Sequence, residues 1–268
     1  MGNKHKLRLW VLLLVFGCLP GGVCAAEPAN LLQVQFEPQE INLGTFYNGT
    51  EIAVHGLAPQ GNDIIIRFVG DKQDIHLNRK GKVLGLLWMN IGAVTIKNTP
   101  GASIIYSTRD FKTMAGSSSP AASDIWKLGH SALQNEIETD PPAKNAEDKE
   151  FLSNELVRLK EHDNLFAEVP GGVTKSGLKD GRESFEARIQ IPSSIRPGNY
   201  RLEAYAFQNG KLVDSIRRPV QAKMTGLPSF MFKMAFQQAL VYGLLSTIIA
   251  IAGGLLMSLI FGVKKGAH

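Results

Sequence analysis

Cysteine is nearly absent from the sequence, and both cysteines, Cys18 and Cys24, lie close to the N-terminus. They fall within residues 1–26, which we identify as a signal peptide, so the predicted mature protein contains no cysteine. A chain without cysteine forms no disulfide and offers no thiolate to a metal or a substrate. Disulfide scaffolds and cysteine metal sites are therefore excluded.

Signatures of catalysis are also missing from the sequence. The predicted mature domain has four histidines, His55, His76, His130 and His162, and none forms an i, i+4 metal pair or an HExxH motif. The sequence contains no Gly-x-Ser-x-Gly elbow and no P-loop. We therefore expect no cofactor, no metal and no enzymatic activity. A pocket that placed His76 or His130 beside two carboxylates would favour an enzyme instead.

The basic excess of the chain, 29 Lys and Arg against 24 Asp and Glu, comes from its two ends. Lys4, Lys6 and Arg8 belong to the predicted signal, while Lys264 and Lys265 follow the predicted membrane span. The part between them contains 24 basic and 24 acidic residues. This balance gives no basic surface of the kind that nucleic-acid binding requires, so we exclude that class.

The N-terminal segment has the organisation of a secretory signal. Its three basic residues precede the apolar run Leu9–Phe16, which is too short to cross a hydrocarbon core of about 30 Å as a helix. Small residues follow, and cleavage after Ala25 or Ala26 is expected. The alternative is an uncleaved N-terminal anchor.

A second apolar segment, Ala239–Val263, contains 25 consecutive uncharged residues. At about 1.5 Å per residue, a helix of this length spans a bilayer with some tilt. Lys264 and Lys265 then place the tail 264–268 in the cytoplasm. We therefore predict a single-pass protein of the bacterial inner membrane with a periplasmic N-terminal domain; a buried core helix is the alternative.

Between signal and span, the composition changes twice. Residues 27–115 and 166–228 are rich in strand and turn patterns, while 116–165 reads as a linker followed by helices, and 229–263 as a juxtamembrane segment and the transmembrane helix. The predicted fold is mainly β: an Ig-like β-sandwich with a two-helix insertion, plus one C-terminal transmembrane helix. The alternative is two small β domains joined by the helices.

Turn signals and hydrophobic runs predict the individual strands. Asn48-Gly49 and Asn209-Gly210 each indicate a hairpin turn. The run Asp63–Val69 predicts a buried strand, within which Arg67 indicates a paired internal charge. Further short strands are predicted at Asp74–Asn78, Lys82–Met89, Ala93–Lys97 and Ser103–Thr108.

Two helices are predicted in the insertion. The first begins with Ser123 as a candidate cap and runs to about Glu138. The second covers Ala146–His162, in which leucines recur every three or four residues on one face.

A basic turn is the first candidate site. Arg79, Lys80 and Lys82 lead into a segment containing Trp88, and such a turn beside a buried aromatic strand can bind an anion or an acidic partner. The alternative is a solvated turn next to a core tryptophan.

A stripe of small residues in the predicted span is the second candidate site. Ser246, Ala250, Gly254, Ser258 and Gly262 recur every four residues. Small residues allow another helix to approach closely in lipid, so the stripe predicts a helix partner. That partner is either a polytopic inner-membrane protein or a second copy of this chain.

Several segments together resemble a known family, the "putative transmembrane protein" family of alphaproteobacteria and related bacteria. These segments are Arg79-Lys80 with Val83-x-Gly85-x-x-Trp88-Met89-Asn90, Pro100 with Tyr106, Phe185-x-Ala187-x-Ile189-x-Ile191-Pro192, Pro197-Gly198-Asn199-Tyr200 and Tyr242-Gly243-Leu244.

The resemblance implies a signal, a periplasmic domain and one C-terminal span. It also implies an association with sulfite-exporter-like permeases. The leading hypothesis is thus a non-enzymatic accessory protein of such a permease. The other is a periplasmic anion- or solute-binding module that uses the basic turn Arg79–Lys82.

Overall fold

The structure is a computed structural model that describes four stretches of the chain: 31–83, 86–116, 124–179 and 181–262. The predicted signal 1–26, the linker residues 117–120, the predicted helix cap Ser123 and the predicted tail 264–268 lie outside the described residues.

Thirteen strands and five α-helices form the described part of the chain. The strands are β1 (Gln33–Glu37), β2 (Glu40–Leu43), β3 (Thr50–Pro59), β4 (Asp63–Gly70), β5 (Lys72–Val83), β6 (Leu87–Pro100), β7 (Ser103–Ser107), β8 (Glu138–Asp140), β9 (Phe166–Pro170), β10 (Val173–Lys179), β11 (Arg182–Ile191), β12 (Gly198–Gln208) and β13 (Lys211–Met224). The helices are α1 (Phe111–Ala115), α2 (His130–Glu136), α3 (Ala146–His162), α4 (Gly226–Gln237) and α5 (Ala239–Gly262), with a 3-10 helix at Asp124–Lys127.

Two sheets form the sandwich. One has the strand order β1-β3-β11-β10, and the other has the order β2-β13-β12-β4-β7-β9. Both sheets contain strands from before and after the helices, which excludes two separate β domains. The first sheet corresponds to the A-B-E-D sheet of an Ig-like fold, and β13, β12 and β4 correspond to its G, F and C strands. The Tyr200 hydroxyl donates to the Arg196 carbonyl at 2.8 Å, as in the tyrosine corner of such sandwiches.

Alternation of side chains builds the core between the sheets. In β11 every second residue from Phe185 to Ile191 is buried, since successive side chains of a strand point to opposite faces. The central strand β4 is buried on both faces. Its Ile64, Ile66 and Phe68 join the sandwich core. Ile65 instead packs in a second cluster with residues of α1, the 3-10 helix and β12.

A third sheet, β5-β6-β8, extends from the sandwich. It packs against α3 through Ile96, Ile137 and Leu156, with Ile75 and Leu77 at the edge of this cluster. The hairpin between the fourth and seventh strands therefore joins the helical insertion, a long-range contact that the sequence pattern did not predict.

The predicted hairpin at Asn48-Gly49 is wrong. β2 pairs in parallel with β13, whereas β3 pairs with β1 and β11 in the opposite sheet. The dipeptide therefore belongs to a crossover between sheets. Gly49 has φ +96°, and a Cβ there would lie 2.8 Å from the Ile191 carbonyl oxygen, so the crossover still needs glycine.

The predicted hairpin at Asn209-Gly210 is confirmed. Gln208 pairs with Lys211, and both turn residues have positive φ, as a type I′ turn requires.

The strands predicted between Asp74 and Lys97 are too short and partly misplaced. Two long strands, β5 and β6, replace them and pair antiparallel from Lys72–Pro100 to Val83–Leu87. The chain reverses between Val83 and Leu87, inside the strand predicted for Lys82–Met89, and that prediction is therefore wrong.

The two predicted helices fared differently. α3 covers Ala146–His162 as predicted, and the Asn145 side chain caps it by accepting from the Asp148 amide at 2.7 Å. The first predicted helix is wrong in extent, because a 3-10 turn precedes the short α2 and β8 begins at Glu138. Gly129 separates the two short helices at a point where a Cβ would crowd the Phe111 ring.

The apolar helix α5 begins at Ala239, as predicted, and its stretch Ala239–Phe261 is long and apolar enough to cross a membrane. The juxtamembrane segment forms a helix of its own, α4.

Candidate interaction surfaces

The end of the β5–β6 hairpin carries exposed apolar side chains. We call Lys80, Lys82 and Leu86–Met89 the hairpin tip. Leu86 is 85% exposed and Trp88 is 68% exposed. Trp88 is therefore a surface residue, and its interpretation as a core or buried-strand tryptophan is wrong. The position of the hairpin turn explains the error, because the predicted strand runs across a reversal of the chain.

Arg79 does not join Lys80 and Lys82 in one basic cluster. It lies on the half-buried face of β5, and its guanidinium forms an ion pair with Asp148 in the first turn of α3. The backbone N–H of Lys144 and the Arg79 guanidinium lower the pKa of the Asp148 carboxyl. The strand alternation at Arg79 could have predicted this separation, since Lys80 and Lys82 lie on the exposed face.

Lys82 and Trp88 pair across the hairpin. They are opposite each other in the register, and the Lys82 ammonium lies 5.4 Å from the centre of the Trp88 ring. A cation at this distance over an indole face is stabilised by the ring quadrupole. The hairpin tip is thus an aromatic and cationic surface rather than a cluster of three cations.

Helix α5 presents the small-residue stripe without obstruction. Ser246, Ala250, Gly254 and Ser258 are exposed on one side, and a Cβ added at Gly254 meets nothing within 4 Å. Gly262 ends the helix, and its surroundings lie outside the described side chains. Residues four apart lie on one helix face, so the predicted stripe is continuous in the structure.

The hydroxyl at the start of this stripe is satisfied within the helix. Ser246 Oγ lies 2.8 Å from the Tyr242 carbonyl and 3.0 Å from the Gly243 carbonyl, and Thr247 Oγ1 donates to Gly243 at 2.9 Å. A serine bonded in this way costs little in lipid and leaves a smooth surface. The stripe is therefore shaped for close packing rather than for polar recognition.

His130 lies beside two carboxylates, Glu161 and Glu168, in a cleft of about 720 Å³. This is the composition that would favour an enzyme, but the geometry gives the histidine a structural role. Its Nε2 lies 2.9 Å from the Ser103 carbonyl, to which it must donate, and its ring stacks on Phe166 at 4.8 Å. Nδ1 is 3.6 Å from Glu168. The ring therefore ties the start of α2 to β7.

Another cleft, of about 510 Å³, contains the buried ammonium of Lys160. Lys160 donates to the Gly101 carbonyl at 3.0 Å. Burial, with a further effect of Arg196, lowers the pKa of Lys160. The contact joins the last turn of α3 to the connection between β6 and β7, and helix C-termini favour such cations, so Lys160 has a structural explanation.

No group of three or more His, Asp or Glu side chains with the arrangement of a metal site occurs in the described part of the chain.

The comparisons with known proteins agree with the apolar helix. No curated protein matches the chain. The model of the family described as "Putative transmembrane protein (Alph_Pro_TM)" matches residues 32–262, from the first strand of the sandwich to the end of α5. The match covers most of the chain, and the chain therefore belongs to this family of transmembrane proteins.

Proposed function

We propose that the chain is a non-enzymatic accessory protein, exported to the periplasm and anchored in the bacterial inner membrane by α5. The signal-like segment before Ala26 supports export, and Lys264 and Lys265 after the span support a cytoplasmic C-terminus. In this arrangement the sandwich stands in the periplasm.

The small-residue stripe of α5 is the observation that carries the proposal. A helix that only anchors a domain needs apolar surface all round, because lipid covers it equally on every side. Small residues aligned over three turns, from Ser246 to Ser258, instead allow the backbone of another helix to come close. Gly253 and Gly254 add open surface at the centre.

The partner that we propose is a polytopic inner-membrane protein. A sulfite-exporter-like permease is the candidate that the sequence resemblance suggests. Its helices would supply the second surface of the packing, while the sandwich remains available to its periplasmic side. Pairing of two copies through the same stripe is the competing arrangement.

The absence of enzymatic activity is part of the proposal, and the environment of His130 supports it. A catalytic base must reach the proton that it removes. The Nε2 of His130 is committed to a backbone carbonyl instead.

Co-purification after crosslinking in native membranes tests the proposal. Ala250→Leu adds three carbons to the stripe, and Ala252→Leu adds the same volume on the other side of the helix, about 200° away. We expect the wild-type chain and the Ala252 variant to recover one multi-span protein and the Ala250 variant to lose it. Equal recovery by both variants would contradict the stripe as the packing surface.

Two differently tagged copies of the chain, expressed together, separate the competing arrangements. The proposal predicts that one tag does not recover the other after solubilisation without the partner. Recovery that is lost in the Ala250 variant and kept in the Ala252 variant would show self-association.

A further inference from the structure

Helix α4 has one narrow polar stripe. Ser229, Lys233 and Gln237 recur every four residues along it. The large side chains occupy the rest of the helix surface: Leu227, Phe230, Met231, Phe232, Met234 and Phe236. At about 100° per residue, they cover an arc of about 240°. The helix contains no acidic residue.

None of these apolar side chains is covered by the protein. No residue of α4 is buried, and Phe236 is 75% exposed. Phe232 and Phe236 stack on each other at 4.7 Å, which enlarges one apolar surface. Apolar patches of this extent on a protein surface mark contact with another molecule or with a membrane.

The position of α4 in the chain decides what covers it. Only Gln238 separates it from α5, and the Gln238 backbone connects the two helices, with its N–H donating to Met234 at 3.2 Å and its carbonyl accepting from Tyr242 at 3.0 Å. The dihedral angles of Gln238, φ −132° and ψ 50°, are not helical, so the chain changes direction there. An apolar helix joined within one residue to a membrane span lies at the bilayer surface.

We propose that α4 is an interfacial helix that lies in the plane of the leaflet on the domain side of the membrane. Its phenylalanine, methionine and leucine side chains enter the boundary between head groups and acyl chains, and the stripe Ser229–Lys233–Gln237 faces water. Lys233 is placed to meet lipid phosphates. A single docked helix would cover one side of α4, whereas an apolar arc of about 240° fits lipid, which surrounds it.

The consequence for the whole protein is a fixed attachment height. Thr225 alone separates β13 from α4, so the end of the sandwich sheet lies directly above the lipid head groups. The domain is then held at the membrane surface rather than carried on a flexible tether.

Single-cysteine labelling of the full chain in lipid vesicles tests this orientation. Replacing Cys18 and Cys24 by Ser gives a cysteine-free background. Spin labels are placed at Met231 and Phe236 on the apolar arc and at Ser229 on the polar stripe. Vesicles of phosphatidylcholine and phosphatidylglycerol provide the bilayer, and collision with oxygen or with a water-soluble nickel chelate reports the depth of each label.

The labels at Met231 and Phe236 should collide mainly with oxygen and the label at Ser229 mainly with nickel. Equal nickel access at all three would overturn the proposal. Shielding of Met231 and Phe236 from both reagents would also overturn it, in favour of a protein surface covering α4. A label at Ile251 in α5 serves as the control, because nickel access there would mean that the span itself had failed to insert.

Discussion

Glu203 is a buried carboxylate at the centre of β12, surrounded by partners on neighbouring strands. Arg67 donates to its Oε2 from Nε at 3.0 Å and from Nη2 at 2.7 Å, and the Tyr205 hydroxyl donates at 2.7 Å. Burial alone raises the pKa of Glu203, but Arg67 and the Tyr205 hydroxyl outweigh it and hold the pKa below its ordinary value. The charge on Arg67, predicted from the sequence to be paired, is therefore paired within the sheet.

This depressed pKa predicts a loss of stability in acid. A carboxyl whose pKa is lower when folded stabilises the protein above its unfolded-state pKa of about 4.3, and loses that contribution as the pH falls through the folded value. Glu203→Gln should reduce the free energy of unfolding at pH 7 by about 3 kcal/mol, since it leaves a buried arginine without its partner. The difference between variant and wild type should shrink towards acid pH.

Urea unfolding of the full chain in detergent, followed by far-ultraviolet circular dichroism between pH 7 and pH 3, measures this effect. Glu186→Gln, at an exposed position of β11, is the matched control and should leave the profile unchanged. A pH-independent difference for the Glu203 variant would contradict the role assigned to its charge.

At the residue scale, the sequence predicts a side chain well when its neighbours along the chain decide its environment. Arg67 lies in an apolar run, so its burial and its need for a partner follow from the pattern. Trp88 has the same apolar neighbours, but a hairpin turn exposes it, and that turn depends on the pairing of β5 with β6. The alternation within β5 does predict that Arg79 and Lys80 face opposite sides.

At the scale of elements, helices with local signals are predicted almost to the residue. In α3 the leucine periodicity and the cap at Asn145 are local, and in α5 the span follows from the length of the apolar run alone. The crossover at Asn48-Gly49 could not be predicted, because a parallel pairing of β2 with β13 is a contact between distant parts of the chain. The strands β9 and β10 were missed for the same reason, since β9 pairs in parallel with β7.

The β5–β6 hairpin provides a contrast between its two ends. Replacing both Leu87 and Trp88 by Ser should change the free energy of unfolding by no more than about 0.5 kcal/mol, because both side chains are exposed. Ile96→Ala in the same strand should cost about 2 to 5 kcal/mol, because Ile96 is fully buried against α3.

Thermal or urea unfolding of the three proteins checks this contrast. A large loss from the double serine variant would mean that the hairpin tip packs against another part of the protein. The tip would then not be the free surface that its exposure indicates.

At the scale of the whole molecule, the proposed orientation places the sandwich and the C-terminus on opposite sides of the membrane. Alkaline phosphatase fused after residue 268 should be inactive, because it folds only outside the cytoplasm, whereas a green fluorescent protein at the same position should fluoresce. The same reporters fused after Thr225 in a chain truncated there should give the reverse result. Active phosphatase at the C-terminus would contradict the orientation.

The central claim is that α5 binds a polytopic partner through its small-residue stripe, and site-specific photocrosslinking in native membranes tests it most directly. A photoreactive residue is placed at Ala250 or Gly254 on the stripe, and at Ala252 or Leu256 on the opposite side. The account predicts a product with one multi-span protein from the first two positions and none from the other two. Equal yields from all four positions, or products of only twice the mass of the chain, would contradict it.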